Sequence, residues 1–208
     1  PAVATPAGAC VLAAAGANVY ALDAATGKQL WKTDVDDFPM GRISGSPTFH
    51  NGRVYVGVTS GEEASGAVPT YECCKFRGSV VALDAATGKQ LWKSYTIPEL
   101  PAPIKKNAVG TQLYGPSGAG VWATPAIDAK LNRLYITTGN NYTDPTSTMS
   151  DSSATGQSAR CTDCGAPGVT GRMTSCQTRS AMNGVRGAMR RVSTSSVSCS
   201  VANAAASP

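Results

Sequence analysis

Three pairs of adjacent residues could do chemistry in this chain: Glu62-Glu63, Cys73-Cys74 and Asn140-Asn141. Neighbouring cysteines can close into a small disulfide ring, which requires an oxidising compartment; reduced, they are two thiols in a long loop insertion. The acid pair reads as oxygen ligands or as an exposed loop pair, and the amides as ligands or as turn residues after a strand. The other cysteines offer less. Cys161-Thr162-Asp163-Cys164 is half of a four-thiolate zinc pattern whose second half is missing, and with no histidine after it, it does not match a haem-attachment site. Seven cysteines leave at least one unpaired, Cys10 reads as a buried residue of an Ala-rich strand, and His50 is the single histidine.

The elements that must hold these residues are announced by a repeat. The segment Ala21-Leu-Asp-Ala-Ala-Thr-Gly-Lys-Gln-Leu-Trp-Lys32 recurs unchanged from Ala82 to Lys93. An apolar run enters Asp-Ala-Ala-Thr-Gly-Lys, in which Asp can bond the backbone two residues on and Gly accepts positive φ. Gln-Leu-Trp-Lys follows, so each copy predicts a β-hairpin with Trp at a set place. A looser repeat pairs Ser46-Pro47-Thr48-Phe49 and Arg53 to Gly61 with Thr124-Pro125-Ala126-Ile127 and Arg133 to Gly139. Each half is a strand, a turn (His50-Asn51-Gly52, or Asp128 to Asn132) and a second strand. Together the repeats define a four-stranded unit, and such units stacked in series are the blades of a β-propeller. Residues 1–142 would hold about two and a half blades, an incomplete ring with open edges.

The pattern Ala-Leu-Asp-Ala-Ala-Thr-Gly-Lys-x-Leu-Trp resembles the tryptophan-docking repeat of the pyrroloquinoline-quinone (PQQ) alcohol dehydrogenases. The stretches Gly115 to Trp122 and Thr138 to Tyr142 resemble the polyvinyl alcohol-oxidising branch of that family. The resemblance covers roughly residues 11–142. It implies an eight-bladed, periplasmic quinoprotein fold, with calcium and PQQ as cofactors, an alcohol as substrate and a cytochrome as electron acceptor. Residue by residue, it implies Glu63 and Asn140 as calcium ligands, with Glu62 the neighbouring choice, and Trp122 as the ring-stacking indole. Cys73-Cys74 would correspond to a disulfide ring set against the quinone, but the family carries its pair about one blade before the metal Glu, not after it. Arg77, through its planar fork, would meet a quinone carboxylate or lie along a blade strand. The family's general base is an Asp some forty residues past the calcium Asn. That place falls near Met182, and Asp163 is the last acid, so no turnover is expected of this chain alone. The competing expectation is a non-catalytic propeller scaffold that binds proteins, of the outer-membrane assembly type.

Composition divides the chain near Thr143. All thirteen aromatic residues lie at or before Tyr142, and residues 143–208 hold no Leu or Ile. Ser and Thr make up a third of that tail, and its basic residues are all Arg. So little apolar bulk does not offset conformational entropy, which predicts a low-complexity, disordered tail; its Ala, Ser, Arg, Gly and Cys mixture is also that of GC-rich DNA read out of frame. A net charge of +5 with no basic run among aromatics argues against nucleic-acid binding. No apolar stretch has the length of a membrane span. The chain starts at Pro1 without a signal-peptide pattern, so it reads as a mature fragment or a piece of a longer protein.

Overall fold

The computed structural model describes residues 2–5, 8–13, 16–143, 158–162 and 172–176. Strands β1 (Ala2–Ala4), β2 (Ala9–Ala13), β3 (Asn18–Asp23) and β4 (Gln29–Asp34) form a first antiparallel sheet in that order. In the second, β6 (Thr48–His50), β7 (Arg53–Ser60), β8 (Ser79–Asp84) and β9 (Gln90–Tyr95) pair in succession, and the short β5 (Gly41–Arg42) joins the far end of β7. Helix α1 (Glu62–Gly66) follows β7 at once. A separate hairpin, β10 (Ala102–Lys106) with β11 (Gln112–Gly115), precedes the third sheet. That sheet runs β12 (Ala126–Asp128), β13 (Arg133–Thr137), β14 (Ser158–Thr162) and β15 (Arg172–Cys176).

The turns form as their residues require. Asp23 Oδ1 accepts hydrogen bonds from Ala25 N at 3.1 Å and from Thr26 N and Oγ1 at 2.7 Å each. Asp84 repeats this with Ala86 and Thr87, and the following glycines sit at φ +71° (Gly27) and +72° (Gly88). Asn51 and Gly52 both take positive φ, the geometry of a tight two-residue hairpin.

The middle sheet is buried on both faces, and strand periodicity divides its side chains between two cores. Val54, Val56, Val58, Val81 and Leu83 pack with Val19, Ala21 and Trp31 of the first sheet. Tyr55, Val80 and Ala82 face the other way, to Leu134 and Ile136 of the third. Each fully buried Val or Leu contributes about 1.5–3 kcal/mol, so stacking three sheets supplies what one sheet lacks. Trp31 seals the first contact: its indole Nε1 donates to Ala85 O at 3.1 Å, inside the turn of the second copy of the repeat. Lys93 ties the same two sheets from the other side, bonding Asp36 Oδ2 at 2.7 Å and Val35 O at 3.0 Å.

Two features differ from the sequence reading. The first unit is a full four-stranded sheet, because the Ala-rich β1 and β2 pair onto β3 without showing either repeat pattern. Strand pairing also continues past residue 142: β14 lies on β13 from Arg133↔Thr162 to Thr137↔Ser158, and β15 on β14. A sheet edge offers backbone donors and acceptors to any extended segment, whatever its side chains, so a Ser/Thr/Arg-rich stretch can add to it. Most of the tail expected to be disordered, with Cys164, Cys199 and Met182, lies outside the described residues.

Candidate functional site

The site is built where three backbone segments meet at one end of the middle and third sheets. Segment 76–78 pairs with 117–119: Gly118 N donates to Phe76 O at 2.7 Å and Gly78 N to Gly118 O at 2.8 Å. Segment 117–119 in turn pairs with 140–142, through Ala119 N to Asn140 O at 2.8 Å and Tyr142 N to Ser117 O at 3.0 Å. Small residues let the backbones come this close. A Cβ on Gly118 would lie 2.5 Å from Tyr142 N, and one on Gly78 would enter the Ala119 carbonyl.

Onto this junction α1 brings Glu63. Ser60 Oγ accepts from Glu62 N at 3.3 Å and helps turn the chain from β7 into the helix. The side chains of Glu63 and Asn140, 77 residues apart in sequence, then meet: Asn140 Nδ2 donates to Glu63 Oε1 at 2.7 Å. Glu62 has a different place. It is fully buried, Oε1 accepts from Lys75 N at 2.8 Å and Tyr71 Oη at 3.1 Å, and Oε2 accepts from Phe76 N at 2.8 Å. Both its oxygens are occupied by the protein, so of the two neighbouring acids Glu63 is the one available to a ligand. Burial, with the Glu62 charge beside it, pushes the Tyr71 hydroxyl up to about 12.

Trp122 stands next to the pair. The residue is 38% exposed, its carbonyl accepts from Ser44 Oγ at 3.0 Å, and its Nε1 lies where a Cβ on Gly139 would be. Glycine before Asn140 is therefore what lets the indole lie against the strand end carrying the amide. Cys73 and Cys74 are joined as a vicinal disulfide. Its sulfurs bear on α1, where a Cβ on Gly66 would be 2.7 Å from Cys73 Sγ, and hairpin β10–β11 clasps it through Tyr114 N to Cys73 O at 2.7 Å. Arg77 points elsewhere. Its guanidinium stacks 3.8 Å from the Tyr95 ring centre and donates to Ile97 O and Pro98 O, beside a cleft that Asp36, Asp37 and Lys75 help to line. The geometry thus gathers Glu63, Asn140 and Trp122 directly, sets the disulfide on the helix that carries Glu63, and gives Arg77 backbone partners.

Sequence reasoning left Glu62 undecided and passed over Tyr142 and Arg42. Tyr142 packs its ring on Phe76, 6.5 Å between centres. Burial raises its hydroxyl pKa; the nearby Ser60 hydroxyl opposes the shift and the Glu63 charge adds to it. The Arg42 guanidinium lies over Gly61 at the start of α1. Neither position carries a pattern by which an isolated Tyr or Arg could have been chosen.

A divalent cation fits the donor chemistry here in part. Turning the Asn140 amide over would set Oδ1 beside Glu63 Oε1, two hard oxygens of the type that calcium-like ions take. The buried hydroxyls of Thr59 and Tyr142 make no well-formed hydrogen bond and lie near one another and Ser60, a cluster of hydroxyl oxygens beside the junction. Among the described residues no group of three His, Cys, Asp or Glu gathers, so the protein supplies a two-residue half-site.

Comparison with known proteins agrees with this architecture. The family profile described as outer membrane protein assembly factor BamB matches residues 1–95. The solved quinohemoprotein alcohol dehydrogenase ADHIIG of Pseudomonas putida HK5 superposes with a TM-score of 0.57 at 24% identity, covering 80% of this chain and 24% of that one. The fold is therefore a partial β-propeller of the quinoprotein type. By sequence, the chain is 31% identical over 136 residues to the Quinohemoprotein alcohol dehydrogenase of Comamonas testosteroni, covering 59% of this chain and 18% of the relative. The chain is homologous to the quinoprotein alcohol dehydrogenases. Among these its likeness is greater to the Polyvinylalcohol dehydrogenase of Sphingopyxis sp. (strain 113P3), at 54% identity over 132 residues, or 64% of this chain. It spans about a fifth of the length of the curated relatives it matches (20% in that case).

Proposed function

We propose that this chain is part of a PQQ-dependent alcohol dehydrogenase and supplies half of its cofactor site. Glu63 and Asn140 would hold a divalent cation, calcium, and the exposed Trp122 indole would give the quinone a flat face. When bound, the quinone supplies hydride acceptance and the cation polarises its carbonyl. The Cys73–Cys74 disulfide would close the site from the helix side, and Arg77 would reach the cofactor's carboxylates only by leaving the Ile97 and Pro98 carbonyls. The observation that carries this reading is the meeting of Glu63 with Asn140 beside Trp122. The substrate would be a secondary alcohol, including polymeric ones, with electrons passing to a cytochrome in the periplasm. Among the described residues no helix is long and apolar enough to cross a membrane.

The test is a PQQ titration into the full-length protein with and without calcium, followed by quenching of tryptophan fluorescence. Calcium-dependent quenching is expected, with Asn140→Ala weakening it at least tenfold, the usual scale for losing a group that serves a metal. Quenching that ignores both calcium and N140A would overturn the assignment. A second reading is favoured by one observation: the matched family profile bears an assembly-factor description and ends at residue 95, before Trp122 and Asn140. A protein-binding propeller scaffold should take up no quinone.

A further inference from the structure

We propose that Glu62 is a positioning residue, which aims Glu63 at Asn140 and so sets the affinity of the half-site for its metal. The proposal deepens the cofactor reading and rests on it. Glu62 is a carboxylate with no exposed surface, in a short helix at the rim of the fold. A buried carboxylate is costly unless its oxygens are well bonded, and here they receive two backbone N–H groups and one hydroxyl. Consecutive helical residues point about 100° apart. With the Glu62 side chain held by Tyr71, Lys75 and Phe76, α1 cannot rotate about its axis, and the direction of Glu63 is set.

The same bonds close a circuit. Glu62 Oε2 holds Phe76 N, Phe76 O holds Gly118 N, and Ala119 N holds Asn140 O. Asn140 Nδ2 then returns to Glu63, the residue after Glu62. The Phe76 ring against Tyr142, two residues past Asn140, backs the circuit with an apolar contact. Two steps use side chains, Glu62 to Phe76 N and Asn140 to Glu63, the ligand pair itself; the others are backbone bonds or an aromatic contact that the fold makes anyway. The ligand pair itself aside, Glu62 is, among the described residues, the side chain whose polar bonds tie the helix bearing Glu63 to segment 76–78 and through it to the segments leading to Asn140. A Gln there keeps the shape but turns an amide N–H toward a backbone N–H, so the helix loses at least one of its two backbone ties.

Terbium(III), a luminescent stand-in for calcium, tests this on the full-length protein without quinone and without turnover. Energy transfer from Trp122 and Tyr142 reports binding. Glu63→Gln should abolish the signal, and Glu62→Gln should weaken terbium affinity about tenfold, on the scale of residues that orient metal ligands. Val54→Ala, in the core away from the site, is the control: it lowers thermal stability and leaves terbium affinity unchanged. Unchanged affinity in folded E62Q overturns the positioning role. If E62Q does not fold, Tyr71→Phe, which removes a single bond to Glu62, is read the same way: weaker binding supports the role and unchanged binding overturns it. Terbium binding that persists in both E63Q and N140A overturns the metal reading instead, so the two failures are distinct.

Discussion

Trp31 and Trp92 hold the same place in two identical twelve-residue segments, yet they live in different surroundings. Trp31 is 8% exposed, donates to Ala85 O, and presses on Gly88, where a Cβ would lie 2.6 Å from the indole. Trp92 is half-buried and leans on Tyr55, 6.0 Å between ring centres. The glycines reverse the comparison: Gly88 receives a neighbour's indole, whereas no described residue lies within 4 Å of a Cβ on Gly27. Local structure is the same in both copies, down to the Asp–Thr bonds. What differs is which sheet stands next door, so local conformation comes from the segment and its energetic weight from stacking.

The largest effect expected from this contrast is on the tryptophans. Trp31→Ala should lower unfolding free energy by about 3–5 kcal/mol, the usual cost of emptying an aromatic site. Trp92→Ala should cost about half as much, given its partial burial. Equal losses in urea unfolding would break the comparison. Next come the glycines. Alanine at either must adopt positive φ, about 1–2 kcal/mol, but only Gly88→Ala also strikes Trp31. G88A should therefore exceed G27A, and in a W31A background the difference should narrow to what the contact with Thr33 Oγ1 leaves, a coupling that a double-mutant cycle reads directly.

The smallest effect should be alike in the two copies. The Thr26 and Thr87 hydroxyls, with backbone bonds, hold the Asp23 and Asp84 carboxyls below their ordinary range. A carboxyl with a lowered folded pKa adds stability above its unfolded value, near 3.8, and that stability is lost as pH falls through the folded one. Thr26→Ala and Thr87→Ala should each raise the carboxyl pKa by NMR titration and move acid unfolding to higher pH. Opposite or unequal shifts would show that stacking reaches into the turns themselves.

Much of the fold was legible because turn chemistry and strand periodicity are local. The Asp-Ala-Ala-Thr-Gly hairpins, the Asn51-Gly52 turn and the Trp repeat all announce themselves in consecutive residues. Strands β1 and β2 did not show a repeat, since short Ala-rich segments carry neither the Ser-Pro nor the Arg-Val-Tyr pattern, and β14 and β15 pair through backbone. Glu63, Asn140 and Trp122 could be named from the resemblance, and the fold brings them together. The choice between Glu62 and Glu63 could not be read, because it depends on whether Tyr71, Lys75 and Phe76 fold back over one of them. Arg77 and the disulfide depended on loop paths of the same kind.

The docking of Trp31 into the turn of the next sheet also gives the stack a polarity. In this contact the first unit extends its indole forward and the second presents a glycine backward, like a hook and an eye. Two units joined by this contact meet head to tail in one order, so the contact itself carries the direction of winding. Gly27, with no described residue within 4 Å of a Cβ there, is an eye of the same shape as Gly88 and would admit an indole as Gly88 admits Trp31.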